Sequence, residues 1–540
     1  MLRLSLVTPI FNPHLGFLKK CADSMRTQSD QGFEWIVVHD GAQEDGVIEI
    51  LATVPQARQV FCEHAGISGA TNSGVGAATG EFIGFLDQDD ELHPDAVSIV
   101  TETLSTTTAV DLLYTNEDKI DEQGRHFSKF VKPAFDLERI RHQNFVSHLT
   151  VLRKTIIEQV GGLRSETDGS QDWDLLLRCL PTMREIVHID AVLYHWRSHP
   201  TSTASSPGAK PEAATAGVRA VQHFLDTSAI KAVARPSART SYIDTVAPPH
   251  VGPISLVVPT RGITENASKN VVSHMVKSLL KTHDCSEIEV VLVVNEENLG
   301  RTLEWASCIP DLWTTCISSS RKFNFAQSMN LGVERATSEI VFSVNDDIEF
   351  IELETLRTLS TFFAEPDVGL VGPRLVWPNG VTQSAGHLIN RGEVGHAARG
   401  LPHNFLGPLG VLSFPSQRSG LTFALAGFRR SDFVAVGGLN ADKFPINFND
   451  VDFGYRILRD GLRIIVDPNQ AIQHYESFSR DRVVDHQEAA SLIDAWGHLL
   501  SEPDPFLPDF WEQVFEHEDL SQLIPDSLIS GLPQRSERIR

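Results

Sequence analysis

The sequence predicts an α/β protein made of two tandem copies of one domain, and three observations carry that expectation. Motifs of the first half return in the second in the same order and at nearly constant spacing. Strand-like apolar runs alternate with helix-like periodicity in each half. The 540 residues are also too many for one hydrophobic core, so two large domains fit the length.

In chain order, Ser5-Leu6-Val7-Thr8-Pro9 returns as Ser255-Leu256-Val257-Val258-Pro259, each an apolar run ending in proline, as a buried strand entering a loop would. Leu15 to Met25 and Lys269 to Leu280 follow with helical spacing. Glu34 to Val38 and Glu289 to Val294 are continuous apolar runs, the kind buried on both faces of a parallel sheet. Ala70-Thr71-Asn72-Ser73-Gly74-Val75 then matches Ser328-Met329-Asn330-Leu331-Gly332-Val333. Asn72 to Asp89 and Asn330 to Asp347 are both 17 positions apart. The acidic clusters reached are Asp87-Gln88-Asp89-Asp90 and Asn345-Asp346-Asp347. Val160-Gly161-Gly162-Leu163 returns as Val436-Gly437-Gly438-Leu439. Each is followed by D-x-D-x-x-x-R, from Asp172 to Arg178 and from Asp450 to Arg456. His195 lies 23 positions after Asp172, and His474 lies 24 after Asp450.

These matches set the expected domains at 1–235, with a helical end around Glu212 to Leu225, and at 254–490. Residues 236–253, rich in Ser, Thr and Pro and containing Ala247-Pro248-Pro249, read as a stiffened linker. Residues 491–540, with Trp496, Phe506, Phe510, Trp511 and Phe515, read as a helical tail wrapped on the second domain.

With 41% hydrophobic and 21% charged residues the composition is that of a globular protein, and the net charge of −24 argues against a nucleic-acid partner. The six cysteines show no CxxC pair or zinc spacing and read as reduced core residues. Pro9 and Asn12 interrupt the first apolar run, which argues against a secretory signal, and no run reaches the about 18 apolar residues of a membrane span. The expected location is the cytoplasm, with peripheral association at the inner face of the cell membrane left open.

An Asp-x-Asp at a strand end suits a hard divalent cation, because its carboxylates reach into the crevice where α/β sheets bind ligands. Asp87 and Asp89 form it in the first half; in the second, Asn345 takes the first position and Asp347 the last, with Asp346 between. An acidic turn capping the next helix is the competing reading. Asp172 and Asp450, at the start of helical patterns after a Gly-Gly bend, are candidates for a general base, or else are N-caps. His195 and His474 follow strand-like runs and offer imidazole to a metal such as manganese, or else are satisfied core histidines. The run from Gly74 to Gly80 precedes its strand and has the spacing G-x-G-x-x-x-G, so it is no dinucleotide fingerprint, and no P-loop exists.

Together these residues resemble the family 2 glycosyltransferases, in particular tandem enzymes similar to bacterial rhamnosyltransferases of O-antigen and cell-wall polysaccharide synthesis. The resemblance rests on Val7 to Asn12, Val38-His39-Asp40-Gly41, Gly66-Ile67-Ser68, Asp87 to Asp90, Gln171 to Asp174 and Leu193 to Arg197. In the second half it rests on Val371 to Leu375, Asn449 to Asp452 and His474-Tyr475-Glu476-Ser477. It implies two GT-A domains, Rossmann-like with mixed, mainly parallel sheets. It also implies inverting transfer from a nucleoside diphosphate sugar to a hydroxyl of a glycan or lipid-linked acceptor. Asp89, His195, Asp347 and His474 would hold Mn or Mg, and Asp172 and Asp450 would be the bases. Pro9, Asp40, Asn72 and Asp87, with Pro259, Asn330, Asn345 and Asp346, would bind donor. The sequence departs from the family at Val293-Val294-Asn295, where a base-reading carboxylate is expected.

Overall fold

The computed structural model describes residues 4–41, 46–199, 211–264, 270–319, 323–390, 392–475 and 485–517. They fall into two compact units divided between Val246 and Ala247.

In the first unit the order is β1 (Leu4–Ile10), α1 (Leu15–Arg26), β2 (Glu34–Asp40), α2 (Val47–Leu51), β3 (Ala57–Cys62), α3 (Gly66–Ala77), β4 (Phe82–Phe85), β5 (Glu91–Leu92), α4 (Ala96–Thr106), β6 (Val110–Ile120), β7 (His126–Phe130), β8 (Thr150–Arg153), α5 (Lys154–Gln159), α6 (Gln171–Cys179), β9 (Glu185–Arg197), α7 (Pro211–Thr227), β10 (Val233–Pro236) and β11 (Ile243–Val246). The sheet runs β3-β2-β1-β4-β8-β6-β9-β5, with β7 on β6. Strands β3, β2, β1 and β4 are parallel, β8 is antiparallel to both neighbours, and β6 and β9 are parallel.

The second unit repeats the path with β12 (Ile254–Thr260), α8 (Val271–Thr282), β13 (Ile288–Asn295), α9 (Leu299–Ser307), β14 (Trp313–Ser319), α10 (Phe325–Arg335), β15 (Ile340–Val344), β16 (Ile348–Phe350), α11 (Thr355–Ser360), β17 (Val368–Val376), β18 (Thr382–Ser384), β19 (His387–Asn390), β20 (Glu393–His396), β21 (Ser416–Gln417), β22 (Leu425–Arg429), α12 (Arg430–Ala435), α13 (Asn449–Arg459), β23 (Arg463–His474), α14 (His486–Leu500) and α15 (Phe510–His517). Its order, β14-β13-β12-β15-β22-β17-β23-β16, is strand for strand that of the first sheet. The mixed α/β architecture expected from the repeats is thus present twice.

Particular side chains repeat as well. Glu34, first in β2, accepts from Ser5 Oγ at 2.8 Å and Thr79 N at 2.8 Å; Glu289, second in β13, accepts from Ser255 Oγ at 2.7 Å and Thr337 N at 2.9 Å. Gly74 and Gly332 lie where α3 and α10 touch β1 and β12. A Cβ at Gly74 would sit 2.5 Å from Val7 Cγ1, so only glycine allows that approach.

One element falls within the expected linker. Residues 243–246, read as linker, form β11, whose Ile243 buries with Ala234 against α7. The tail helices α14 and α15 cover the second unit, where Trp496 stacks on Tyr455 and donates Nε1 to Asp452 Oδ1 at 3.0 Å. Lys269, Glu476, Ser477 and the tail beyond His517 lie outside the described residues. All six cysteines are free.

Candidate active site

In the first unit β2, β1 and β4 run parallel, so Asp40, Pro9 and Asp87 emerge at one edge of the sheet. The turn after β4 is held from beneath. Asp90, buried, accepts Tyr194 Oη at 2.5 Å and Arg197 N at 2.7 Å, while Arg197 Nε donates to the Asp89 carbonyl at 2.7 Å. Asp87 and Asp89 then face a cleft of about 980 Å³ whose lining also includes Pro9, Asp40, His148 and Asp172.

Each wall has its own anchor. Asp40 accepts Ala65 N at 2.7 Å and pairs with His64 Nδ1 at 2.9 Å, and the Phe11 ring stacks on His64 with centroids 4.6 Å apart. A flat aromatic wall thus stands beside a carboxylate. Asp172, in the first turn of α6, accepts Asn144 Nδ2 at 2.8 Å. Asp89 Oδ2 lies 2.8 Å from His199 Nε2.

Burial, then the charges of Asp89 and Asp172, raise the Asp87 carboxyl above its usual range, against the pull of His148. Burial alone would depress His148. The Glu117 carboxylate 3.5 Å away and the charges of Asp87 and Asp90 outweigh it and raise the imidazole to about 9. The cleft therefore gathers several carboxylates beside an imidazole whose pKa they raise, an acidic lining whose charge a divalent cation would balance.

In the second unit Asn345, Asp347 and His474 meet: His474 Nε2 is 3.1 Å from Asp347 Oδ1 and 3.4 Å from Asn345 Nδ2, and its Nδ1 is 2.7 Å from Gln383 Oε1. Asp346 Oδ2 accepts Thr260 Oγ1 at 2.7 Å, and Pro259 is buried within β12. Burial raises the carboxyl of Asp450 in the first turn of α13; His387 Nε2 stands 3.8 Å away, and burial lowers that imidazole to about 4. Asn295, at the end of β13, occupies the position that Asp40 has at the end of β2.

Three expected residues have other partners. The Asn72 carboxamide binds backbone, donating Nδ2 to Leu163 O at 2.9 Å and accepting Leu163 N at 2.8 Å. Asn330 does the same to Leu439, at 2.8 Å both ways. These asparagines hold the Gly-Gly turn through both the nitrogen and the oxygen of the carboxamide. His195 sits across from Glu91, two residues beyond Asp89, whereas His474 sits across from Ile348, one residue beyond Asp347. Successive strand residues alternate faces, so His195 points away from the cleft and meets Asp118, while Trp196 takes the place His474 has in the second unit.

A family model described as glycosyl transferase family 2 matches residues 5–161 and again 255–437. The chain belongs to glycosyl transferase family 2. The Sinorhizobium fredii protein y4gI is 33% identical over 489 residues, 88% of this family 2 chain and 53% of its own length. The O-antigen biosynthesis protein RfbC of Myxococcus xanthus is 29% identical over 484 residues, 88% of this chain and 38% of its own. The chain thus spans about half of the first relative and less of the second. A solved structure of S. aureus TarS with UDP-GlcNAc is 16% identical, covers 41% of this chain and 66% of its own, and aligns with a TM-score of 0.35, too low to bear on the site.

Sequence reasoning on this family 2 chain missed His148, Asn144, His199 and His387, none of which falls in a repeated motif. The findable signal was His199, an imidazole four residues after His195 and just past the strand end. The second Asp and the Arg of D-x-D-x-x-x-R are structural: Arg178 pairs with buried Asp174 and donates to Val160 O at 2.7 Å and Gly162 O at 2.6 Å. Arg456 repeats this with Asp452, Val436 and Gly438.

Proposed function

We propose that this chain moves a sugar from a nucleoside diphosphate sugar to a hydroxyl of a growing cell-surface polysaccharide or lipid-linked glycan, with inversion at the anomeric carbon. The observation that carries the reading is the convergence of Asp40, Asp87, Asp89 and Asp172 on one cleft at the strand ends. Asp40, beside the stacked Phe11 and His64 rings, receives the donor base. Asp87, Asp89 and His199 are a donor set of oxygens and one imidazole that fits Mn, or Mg through the carboxylates. The bound ion supplies positive charge against the leaving diphosphate. Asp172, oriented by Asn144, takes the proton of the acceptor hydroxyl as its oxygen attacks the anomeric carbon opposite the breaking bond to diphosphate.

In the second unit Asp347 and His474 are the corresponding ligand pair and Asp450 the base, with its carboxyl raised by burial toward a more basic range. Two working sites on one chain follow. A second reading, in which this unit handles acceptor only, is favoured by Asn295 and Asn345 standing where the first unit has Asp40 and Asp87. A lipid-linked acceptor would draw the chain to the inner membrane face; among the described residues no helix is long and apolar enough to cross a membrane.

The test is product analysis. Nucleoside diphosphate released in step with a glycoside of inverted configuration supports the proposal, whereas pyrophosphate release indicates nucleotidyl transfer and removes it.

A further inference from the structure

We propose that Asp118, His126 and His195 bind one zinc-class divalent cation at a site separate from the acidic cleft. The three residues stand on adjacent strands. Asp118 of β6 is directly opposite His195 of β9, and His126 of β7 is opposite Ile120, two residues along β6 from Asp118. Strand alternation gives positions 118 and 120 the same face, so the two imidazoles flank the carboxylate from either side.

The atoms already converge. His195 Nδ1 lies 2.6 Å from Asp118 Oδ1 and His126 Nδ1 lies 2.9 Å from Asp118 Oδ2. One ligand atom from each residue falls within 4.8 Å of the others. The imidazole rings stand 4.6 Å apart at 87°, edge to face and not stacked. Two imidazoles and one carboxylate form a ligand set that suits zinc and neighbouring transition metals, with a fourth position left to water. Magnesium and calcium prefer oxygen alone.

Access and rigidity also fit. Asp118 and His195 are 13% and 12% exposed, whereas His126 is 55% exposed on the outer strand, so an ion enters from solvent onto a largely preformed pair. A cation here would tie β7 to β6 and β9. On β9 the next residue, Trp196, turns to the opposite face and lines the cleft.

The competing reading is a carboxylate that merely accepts hydrogen bonds from two imidazoles. Titration of the chelator-treated full chain with Zn(II) in excess Mg(II), which occupies carboxylate sites and leaves imidazoles to zinc, separates the two. The proposal predicts a zinc equivalent that His126→Ala and His195→Ala each weaken by about 100-fold or more and that Asp89→Asn and Asp347→Asn leave in place. It predicts a Zn-dependent rise in thermal midpoint that both variants lose, and intense visible bands of low-coordinate Co(II) in the parent only. His126→Cys, which restores a ligand on an exposed strand, should regain the zinc equivalent. The proposal fails if His126→Ala, folded by circular dichroism, binds zinc within about threefold of the parent, or if the parent takes up no zinc under these conditions.

Discussion

Replacing Asn72 by alanine should destabilise the first unit without touching donor affinity. Its carboxamide makes two hydrogen bonds with the Leu163 backbone, at 2.9 and 2.8 Å, and Leu163 is only 8% exposed. Water cannot take over either bond easily. The adjacent Gly162 has φ +73° and packs on the carboxamide, so the turn cannot close the gap with a side chain of its own. A buried backbone group left unpaired costs about 1–3 kcal/mol, so losing both partners costs roughly 3 kcal/mol in all. At about 2–4 °C per kcal/mol for a unit of this size, the midpoint should fall by roughly 6–12 °C. Scanning calorimetry on the full chain reads this directly, and Asn330→Ala should do the same to the second unit. An unchanged midpoint combined with a raised donor KM would show instead that Asn72 faces ligand.

The remaining predictions concern charge and the tail. His148 is raised from 6.5 to about 9 in the folded chain, so its contribution is complete below about pH 6.5 and disappears as pH rises through 9. In chelator-treated protein the first unit should lose on the order of 3 kcal/mol over that window, and His148→Gln should flatten the dependence measured by urea denaturation. Because burial raises the Asp450 carboxyl, any rate that depends on the second unit should rise with pH above the ordinary aspartate range, and Asp450→Asn should abolish that limb. Trp496→Phe keeps the ring stack on Tyr455 but leaves Asp452 Oδ1 without its 3.0 Å donor, at a cost of about 1–2 kcal/mol read as a lower second-unit midpoint.

Most of the architecture was legible because parallel strands buried on both faces must be continuously apolar, as Trp35 to Val38 and Val290 to Val294 are, and because duplication repeats each motif in order. Asp87, Asp89 and Asp172 were readable as a group for the same reason. What spacing could not convey was orientation. His195 pairs across from Glu91 whereas His474 pairs across from Ile348, a one-residue offset in pairing that reverses the face and that only the strand register reveals. Asn72 and Asn330, expected at the donor, bond to the Leu163 and Leu439 backbone, and a carboxamide that grips backbone looks, in sequence, like one that grips a ligand. The β10–β11 hairpin was hidden by Ser, Thr and Pro, residues that suit linkers and exposed hairpins alike.

Asp89 and Asp347 are proposed to mark two metal-dependent donor sites. Calorimetric titration of the full chain with nucleoside diphosphate sugars, with and without manganese, tests this most directly when repeated on Asp89→Asn and Asp347→Asn. The parent should bind donor in a metal-dependent way, and each variant should lose one binding event. Donor binding of undiminished stoichiometry and metal dependence in both variants would contradict the proposal.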